Sequence, residues 1–475
     1  MADVLSLSVE ELTAGYRSGA FSPVEVAQAH LDRAMAIDPK LAAFQLLTPD
    51  LALKQAEAAL VRWRAGAPLG ELDGVPVTIK DNLDISGLPT RHGSLTTPDR
   101  PASEDSPAVA RLREAGVVFL GKTTTPEFAW KGTTDSKLRG ITRNPWNIDY
   151  SSGGSSGGGG AALAAGVGAL ALGNDGGGSI RIPASFCGLF GIKPTFGRVP
   201  HRQYGLFCTT ASNGPIARSV ADAATMLRIL ARPDGRDYYA APPPPAEWLA
   251  NPDSGIRGLK IAYSPALQGI EPDAHVARAI GDAVALARDL GAEVEEVGPV
   301  IAPLHMNMTF IDHWKAGFGA RLRDVPREQW DLVEPGFRTL AEEGLSVSGK
   351  ALHEAEIARA KLYEVMAALH ERFPILLTAT TPHTAPAADV IYNSAGYDRW
   401  TDAVPYTVPF NLTGQPAASL PCASSPEGLP IGLQVVAPRF ADELVMQVCQ
   451  VLETAIGFQM GRKGSGPGVG TSLIS

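Results

Sequence analysis

The sequence predicts an α/β protein whose β-sheet is covered by helices on both faces. Residues 75–80 alternate between two faces, so that Val77 and Ile79 share one of them, as expected for a strand. A helical run at residues 108–115 is followed by a continuous apolar run at 117–120. Because apolar strands that alternate with helices are typical of sheets buried on both faces, these segments indicate an α/β architecture.

The other periodic segments fit this architecture. Ser8 and Glu11, and then Ser22 and Glu25, have the spacing of capping boxes and predict helices within a helical section at residues 1–65. Further strands are predicted at residues 169–172, 259–263, 292–297, 375–378 and 431–436, and further helices at 275–290, 301–372 and 442–456.

The composition excludes several classes of protein. The chain has 475 residues, of which 45% are hydrophobic and 19% charged, and this is not the composition of a disordered protein. Its net charge of −9 gives no general attraction to nucleic acids or to anionic membranes. The cysteines form no CxxC pair, and we expect all of them to be small buried residues in a reducing compartment. They are Cys187, Cys208, Cys422 and Cys449.

No segment predicts a membrane span or a secretory signal. The first residues lack a basic region followed by an apolar core. Residues 150–173 carry no charge and are long enough to cross a bilayer, but they consist mostly of Gly, Ser and Ala and are too weakly apolar to insert. We therefore expect a cytoplasmic protein without membrane or nucleic-acid partners.

Two short motifs suggest other chemistries. Residues 116–123 match the Walker A pattern, with Lys122 as the phosphate-binding lysine, but the residues inside the motif are Val, Val, Phe and Leu, which favour a buried strand over a phosphate-binding loop. Residues 154–158 match GxSxG, but the residues before them are typical of a loop, whereas a nucleophile elbow needs a strand there. A nucleotide-binding protein remains an alternative prediction.

Three segments together resemble the amidase signature family of C–N hydrolases. They are residues 74–81 (GVPVTIKD), 153–158 (GGSSGG) and 173–184 (GNDGGGSIRIPA). The resemblance continues at residues 121–123, 127–129, 144–146, 188–195, 214–218, 409–414 and 428–432. The sequence departs from the family pattern at Asn174, where Thr is usual, and at Gly159 and Gly160, where Ser and Ala are common.

The resemblance implies a Ser–Ser–Lys triad. Ser179 would be the nucleophile, Ser155 a relay held on a cis peptide, and Lys80 the base that later helps to protonate the leaving amine. Gly176, Gly177 and Gly178 would form the oxyanion hole, and Ala129 would line the acyl pocket. The family uses no metal, nucleotide or redox cofactor, so none is expected.

The residue types themselves are suited to amide hydrolysis. An amide needs an activated nucleophile, a proton shuttle and donors for the developing oxyanion. The three glycines before Ser179 lack side chains, so that their N–H groups can converge on one oxygen. Lys80 ends an apolar strand, where poor solvation lowers the pKa of a lysine and leaves some neutral amine to act as a base. Asp175 and Arg181 flank Ser179, and we expect a structural ion pair that braces the glycine turn.

The domain organisation follows from the resemblance and from the periodic segments. We expect a single domain over residues 1–475 with the amidase signature fold, which is a large, mixed, twisted β-sheet covered by α-helices on both faces. Residues 66–230 would form the catalytic core and residues 301–372 a variable helical insert or pocket wall, with Trp314, Trp330 and Phe337 as its aromatic side chains. The Gly/Ser-rich tail at 461–475 is predicted to be flexible.

The expected function is hydrolysis of an amide-type C–N bond, in an aryl amide or a carbamate (urethane), through a seryl acyl-enzyme. The expected partner is a small-molecule amide or carbamate substrate, bound by a monomer or a homodimer. A second hypothesis is that the chain is the glutaminase-type A subunit of a tRNA-dependent amidotransferase, which would show little activity without its partner protein.

Overall fold

The computed structural model describes residues 4–202, 205–245, 247–249, 255–301, 306–390 and 400–458, so the predicted tail at 461–475 lies outside the described residues. The strands are β1 (Phe44–Leu47), β2 (Pro76–Lys80), β3 (Val118–Thr123), β4 (Asp135–Ser136), β5 (Gly140–Ile141), β6 (Arg143–Asn144), β7 (Asn147–Ser151), β8 (Leu170–Asp175), β9 (Phe190–Lys193), β10 (Ser212–Ala217), β11 (Lys260–Tyr263), β12 (Glu293–Glu296), β13 (Ile375–Ala379), β14 (Ala417–Ser424) and β15 (Pro430–Val436).

The helices alternate with these strands along most of the chain. They are α1 (Val9–Ser18), α2 (Pro23–Leu41), α3 (Pro49–Arg64), α4 (Pro107–Glu114), α5 (Gly157–Ala164), α6 (Arg181–Cys187), α7 (Val220–Leu230), α8 (Ala274–Asp289), α9 (Met306–Arg323), α10 (Pro335–Gly344), α11 (Gly349–Arg372), α12 (Trp400–Ala403), α13 (Val408–Leu412) and α14 (Asp442–Ile456).

Eleven of the described strands form one mixed sheet in the order β1-β3-β2-β8-β10-β9-β14-β15-β13-β11-β12. Strand β2 runs parallel to both β3 and β8, and β11 runs parallel to both β12 and β13. The other neighbouring pairs in this sheet are antiparallel. The predicted mixed α/β sheet is confirmed.

The central strands are buried on both faces. Every residue of β2, β8 and β15 is buried. Since successive side chains of a strand point to opposite faces, burial of all of them requires a cover on each side. One apolar cluster runs from Val9 in α1 to Leu452 in α14 and joins the two ends of the described chain in one core.

The helix starts follow the local sequence signals. Both predicted capping boxes are present: Ser8 caps α1 together with Glu11, and Ser22 caps α2 together with Glu25. Pro23 follows at the first helical position of α2, where its missing N–H costs no hydrogen bond.

The structure corrects three sequence-based expectations. The N-terminal section is not wholly helical, because β1 pairs with β3 and interrupts the helices. The central strands β9, β10 and β14 were not predicted, because Gly and Pro interrupt their apolar runs. The cysteines are all free, as expected, but Cys208 is exposed and Cys422 only partly buried, since Cys208 lies in a surface turn.

None of the helices among the described residues is long and apolar enough to cross a bilayer. The region predicted as a helical insert, residues 301–372, contains α9, α10 and α11 in its described part. Helix α9 packs against both α10 and α11, so that the three form one helical layer.

Candidate active site

The candidate site lies where the carboxyl ends of two parallel strands meet. Lys80 is the last residue of β2, and the register of β2 on β8 pairs Ile79 with Leu172. The end of β2 therefore lies beside Asn174, near the end of β8. The Lys80 Nζ donates to the Asn174 carbonyl at 3.0 Å and to Ser155 Oγ at 2.7 Å. Two of the three predicted triad residues are thus in direct contact.

Burial controls the charge of Lys80. Only 1% of the residue is exposed to solvent. Burial disfavours the ammonium form and lowers the pKa of Lys80 to about 7, although the nearby Asp175 carboxylate favours the charged form. A substantial fraction of this amine is therefore neutral near neutral pH and able to accept a proton.

The loop that carries Ser155 is tightly packed. The peptide bond between Gly154 and Ser155 is cis, as the resemblance implies. A Cβ at Gly154 would lie 2.4 Å from the carbonyl oxygen of Thr133, so only glycine fits there. The next residue, Ser156, donates its N–H to the carbonyl of Ser179 at 3.1 Å and thereby joins the two serine loops.

Ser179 is buried, with 4% of its surface exposed, and it precedes α6. Among the described residues its hydroxyl makes no hydrogen bond, so the contact between Lys80 and Ser155 is not continued to Ser179 Oγ. The backbone bond from Ser156 to Ser179 joins the loops of Ser155 and Ser179, and within the described residues the Ser179 hydroxyl has no hydrogen-bond partner.

The glycine turn before Ser179 is held by Asp175. Its carboxylate accepts the N–H of Gly178 at 2.7 Å and that of Ile180 at 3.1 Å. The predicted oxyanion donor at Gly178 is therefore already occupied. The N–H groups of Gly176, Gly177 and Ser179 make no hydrogen bond within the described part of the chain. They are the donors left for an oxyanion.

Asp175 and Arg181 form the predicted ion pair at the base of this turn. Both side chains are fully buried and their closest charged atoms are 3.0 Å apart. Burial alone would raise the pKa of Asp175, but Arg181 outweighs it and holds the pKa well below the ordinary range. Arg181 also donates to Asn411 Oδ1 at 2.6 Å and to Gln434 Oε1 at 2.9 Å, so both terminal nitrogens of its guanidinium have polar partners beyond the ion pair.

Sequence reasoning missed part of this support. Asn411 Nδ2 donates to the carboxylate and the carbonyl of Asp175, and Thr407 Oγ1 donates to the carbonyl of Gly177 at 2.6 Å. Asn411 lies in the conspicuous segment PFNLTG, which was a usable signal, whereas no local pattern marks Thr407. Asn174, noted as a departure from the family pattern, donates its side chain to Asn213 at 2.9 Å.

Aromatic side chains border the glycine turn. A Cβ at Gly176 would lie 3.2 Å from the ring of Phe207 and 3.3 Å from that of Trp314. The two rings pack at a centroid distance of 4.6 Å. Of the other predicted aromatic residues, Phe337 packs on Phe128, whereas Trp330 lies against Arg327 and Arg338. Trp314 is therefore the predicted aromatic residue that reaches the turn.

Ala129 is buried in a short 3-10 turn, and both it and Phe128 adopt left-handed conformations, with φ of +59° and +50°. Such conformations are costly for residues other than glycine and persist only where the surroundings enforce them. The loop that contains Ala129 continues to Thr133, whose backbone touches Gly154.

The Walker A interpretation of residues 116–123 is wrong. The segment contains β3, which lies inside the main sheet and provides no phosphate-binding loop. Its Lys122 is fully buried, with Nζ 3.1 Å from an Asp81 carboxylate oxygen, and it donates to Thr90 Oγ1 at 2.5 Å. At the GxSxG match a strand does precede the turn, but this strand is β7 of a separate two-stranded sheet.

No group of three or more His, Cys, Asp or Glu side chains arranged to hold a metal ion occurs in the parts of the chain that the structure describes.

Comparison with known proteins gives consistent matches over nearly the whole chain. Residues 25–446 match the family model described as Amidase. The chain is 34% identical over 455 residues to an acylamidase of Rhodococcus erythropolis, covering 94% of this chain and 95% of that protein. It is 36% identical over 493 residues to the A subunit of the glutamyl-tRNA(Gln) amidotransferase of Acidothermus cellulolyticus, covering 97% of each.

Among solved structures, a bacterial aryl acylamidase described as belonging to the amidase signature enzymes superimposes with a TM-score of 0.87 at 28% sequence identity. The match covers 94% of this chain and 96% of that chain.

Proposed function

The chain belongs to the amidase signature family of C–N hydrolases, and from this premise we propose that it hydrolyses an apolar or aromatic amide through an acyl-enzyme formed on Ser179. The observation that carries the proposal is the 2.7 Å contact between Lys80 Nζ and Ser155 Oγ in a buried site. A buried lysine that contacts a hydroxyl, one loop away from a second hydroxyl beside free backbone donors, is suited to activating that second hydroxyl.

The proposed acylation step moves two protons. As Ser179 Oγ forms a bond to the carbonyl carbon, Ser155 takes the Ser179 proton and passes its own proton to the neutral Lys80 amine. The N–H groups of Gly176, Gly177 and Ser179 stabilise the negative oxygen of the tetrahedral intermediate. When the C–N bond breaks, the proton on Lys80 returns through Ser155 to the leaving nitrogen.

Deacylation uses the same groups with water in place of the amine. Water gives a proton through Ser155 to Lys80 as it attacks the ester carbon of acyl-Ser179. The ester C–O bond then breaks, Ser179 regains its proton and the carboxylic acid leaves. A carbamate would follow the same path: its C–N bond breaks, the amine leaves, and an alkoxycarbonyl group remains as a carbonate ester on Ser179.

The substrate class is inferred from the walls of the site. Phe207 and Trp314 lie directly against the glycine turn, and Phe318 extends this aromatic wall at 5.4 Å from Trp314. Binding sites lined by aromatic side chains favour ligands with apolar or aromatic groups. We therefore expect anilides and aryl carbamates to be better substrates than small polar amides.

A second candidate function has its own support. The chain is similar over 97% of its length to the A chain of an amidotransferase, with an identity slightly above that to the acylamidase. A protein of that kind would release ammonia from glutamine, with a rate that depends on its partner proteins. The aromatic wall at Gly176 favours the first candidate, since the glutamine side chain is small and polar.

The proposal is tested with the purified chain and a panel of an anilide, an alkyl amide, a phenyl carbamate and glutamine. We expect the anilide to be turned over by the chain alone, and Ser179→Ala and Lys80→Ala each to lower this rate by about 10²–10⁴-fold. Ser346→Ala, which removes an exposed hydroxyl, serves as the matched control.

Hydroxylamine added during turnover should trap the acyl group as a hydroxamate, and this product should disappear in Ser179→Ala. Full turnover in both triad variants would overturn the proposed mechanism. Glutamine hydrolysis that appears only after addition of the amidotransferase partner proteins would instead support the second candidate.

A further inference from the structure

One loop, residues 127–137, links the helical insert to the serine loop of the site. On one side the loop contacts the segment that precedes and begins α10. On the other side it packs against the loop that carries Gly154 and Ser155. We call residues 127–137 the bridging loop.

The contact with the insert is centred on the carboxylate of Glu334, the N-cap residue of α10. Glu334 Oε1 accepts from Lys131 Nζ at 2.5 Å, and Oε2 accepts from Trp130 Nε1 at 2.8 Å. The backbone N–H of Glu334 donates to Glu127 Oε2 at 2.5 Å. One residue of the insert therefore holds three positions around Ala129 through its side chain and its backbone.

These bonds are protected from water by apolar packing. Phe337, one turn further along α10, packs on Phe128 at a centroid distance of 4.9 Å. A Cβ at Gly336 would lie 2.7 Å from the ring of Trp130, so the start of the helix lies directly on that indole. Charge-assisted hydrogen bonds in such a site are stronger than exposed ones.

Glu334 supplies one of the two carboxylates that contact the amine of Lys131. Lys131 is largely buried and forms ion pairs with Glu334 and Asp135. Burial would lower the pKa of Lys131, but these two carboxylates outweigh it and raise the pKa. Without Glu334, Lys131 keeps its ion pair with Asp135, but Lys131 Nζ and Trp130 Nε1 each lose a buried acceptor, and the loop is then expected to move towards water.

On its opposite side, the bridging loop packs directly on the backbone of the serine loop, so it cannot move without displacing that backbone. An added Cβ at Gly154 would lie 2.4–2.8 Å from three backbone atoms of Thr133. Gly157, two residues beyond Ser155, donates its N–H to Thr134 Oγ1 at 3.1 Å. A displacement of residues 130–134 is therefore transmitted to the backbone on both sides of Ser155.

We propose that Glu334 is a positioning residue for the reaction: through Trp130 and Lys131 it fixes the bridging loop, which holds Ser155 against Lys80. This inference rests on the proposed function, because it assigns Glu334 a role through the relay serine. Glu334 itself touches neither the triad nor the glycine turn, and it acts only through the loop.

The test compares Glu334→Ala, Glu334→Gln and the control Glu342→Gln on the best amide of the panel. Glu342 lies on the same helix, is exposed and pairs with Arg338, so its variant removes a similar charge outside the cluster. Misplacement of a catalytic group by a fraction of an ångström lowers the catalytic rate more than it weakens binding. We expect Glu334→Ala to lower kcat by about tenfold or more with KM nearly unchanged.

Rescue by the conservative variant separates positioning from general destabilisation. Glutamine keeps one acceptor oxygen, which suits Lys131, but its NH2 group cannot accept from Trp130 Nε1, so the kcat of Glu334→Gln should lie between those of Glu334→Ala and the wild type. Glu342→Gln should match the wild type.

If Glu334→Ala does not fold, Lys137→Met is the second variant. It removes the exposed lysine that donates to the carbonyls of Asp331 and Val333 at 3.0 Å, and it should lower kcat without changing the unfolding temperature.

The outcomes for the two proposals are distinguishable. A wild-type kcat in Glu334→Ala and in Lys137→Met, with Ser179→Ala inactive, would overturn the positioning role and leave the acyl-enzyme mechanism intact. A rise in KM with unchanged kcat would also overturn it, since that result assigns Glu334 to substrate binding. Turnover that survives in Ser179→Ala would instead contradict the proposed function.

Discussion

Lys80 is the proposed base of the site because it is the buried amine in contact with Ser155. Its surroundings act in opposite directions: burial favours the neutral amine, and Asp175 favours the ammonium form. The balance leaves a pKa of about 7, so small changes of pH alter the fraction of usable base.

The first prediction concerns pH. A base must be neutral to accept a proton, so kcat/KM should rise as pH increases through about 7 and fall away below it. A rate profile from about pH 5 to about pH 9 measures this directly. A flat profile would contradict the assignment of Lys80 as the base.

Lys193 provides the control for this profile. Burial also lowers its pKa to about 7, but it lies on β9 and donates to the carbonyl of the adjacent Pro194 at 3.0 Å. Lys193→Met should therefore keep the rise near neutral pH. Loss of the rise in this variant would assign the titration to Lys193.

At the scale of the secondary-structure elements, Ser155 and Ser179 are held in place because the backbones of their loops pack closely against neighbouring segments. The turn between β8 and α6 has no space for a Cβ at Gly178 and little at Gly176, and the serine loop before α5 has none at Gly154. Both connections are short and buried, so the positions of Ser179 and Ser155 depend on the sheet and on the bridging loop rather than on flexible surface segments.

A pair of glycine substitutions tests this dependence. Gly178 has φ of +129°, and a Cβ there would lie 2.3 Å from Thr407 Oγ1, so Gly178→Ala should cost about 2–3 kcal/mol of stability and most of the activity. Gly281 lies inside α8 with no atom within 4 Å of an added Cβ.

Gly281→Ala should accordingly stabilise the protein by about 0.8–1 kcal/mol through its higher helix propensity, and leave turnover unchanged. Urea unfolding and anilide turnover of both variants provide the measurement. Equal effects of the two substitutions would show that the space around Gly178 is not limiting.

At the scale of the whole described chain, α7 contacts both α1 and α14. The N–H of Val9 in α1 donates to Asp222 Oδ1 at 2.9 Å, and the N–H of Val220 donates to Glu453 Oε1 in α14 at 2.9 Å. Helix α7 therefore binds the first and the last helix together. Burial, with a smaller contribution from Asp222, raises the pKa of Glu453 to about 7.

This raised pKa predicts a pH-dependent stability. Between the ordinary value of 4.5 and about 7 the folded state binds a proton at Glu453 that the unfolded chain has released, so stability falls as pH rises through this range. Glu453→Gln keeps the acceptor for Val220 without the charge. It should therefore stabilise the protein by about 1–2 kcal/mol at about pH 8, and this gain should shrink towards zero near about pH 4.

Thermal unfolding of the wild type and Glu453→Gln at both pH values measures the difference. The expected gain is smaller than the full pKa shift implies, because Glu453 is partly exposed to solvent. A gain of equal size at both pH values would mean that the charge of Glu453 is not its cause.

Local patterns predicted much of the fold, and the resemblance to the amidase signature family identified the candidate residues. The capping boxes at Ser8 and Ser22, the buried strand that ends at Lys80 and the helix at 442–456 were readable because each depends on neighbouring residues. Ser155 and Ser179 were identified through the resemblance of their glycine-rich segments to the amidase signature family. The Asp175–Arg181 ion pair was predicted because both partners lie close together in sequence.

Only the tertiary structure decided which of these groups meet. The support from Thr407 and Asn411 and the hold of Glu334 on the bridging loop join residues that are 203 to 236 positions apart. Strands β9, β10 and β14 were likewise fixed by their partners in the sheet and not by their own Gly- and Pro-interrupted sequences. The sequence determines what each segment is able to form, and packing between distant segments selects the contacts, because burial and desolvation exist only once the chain has folded.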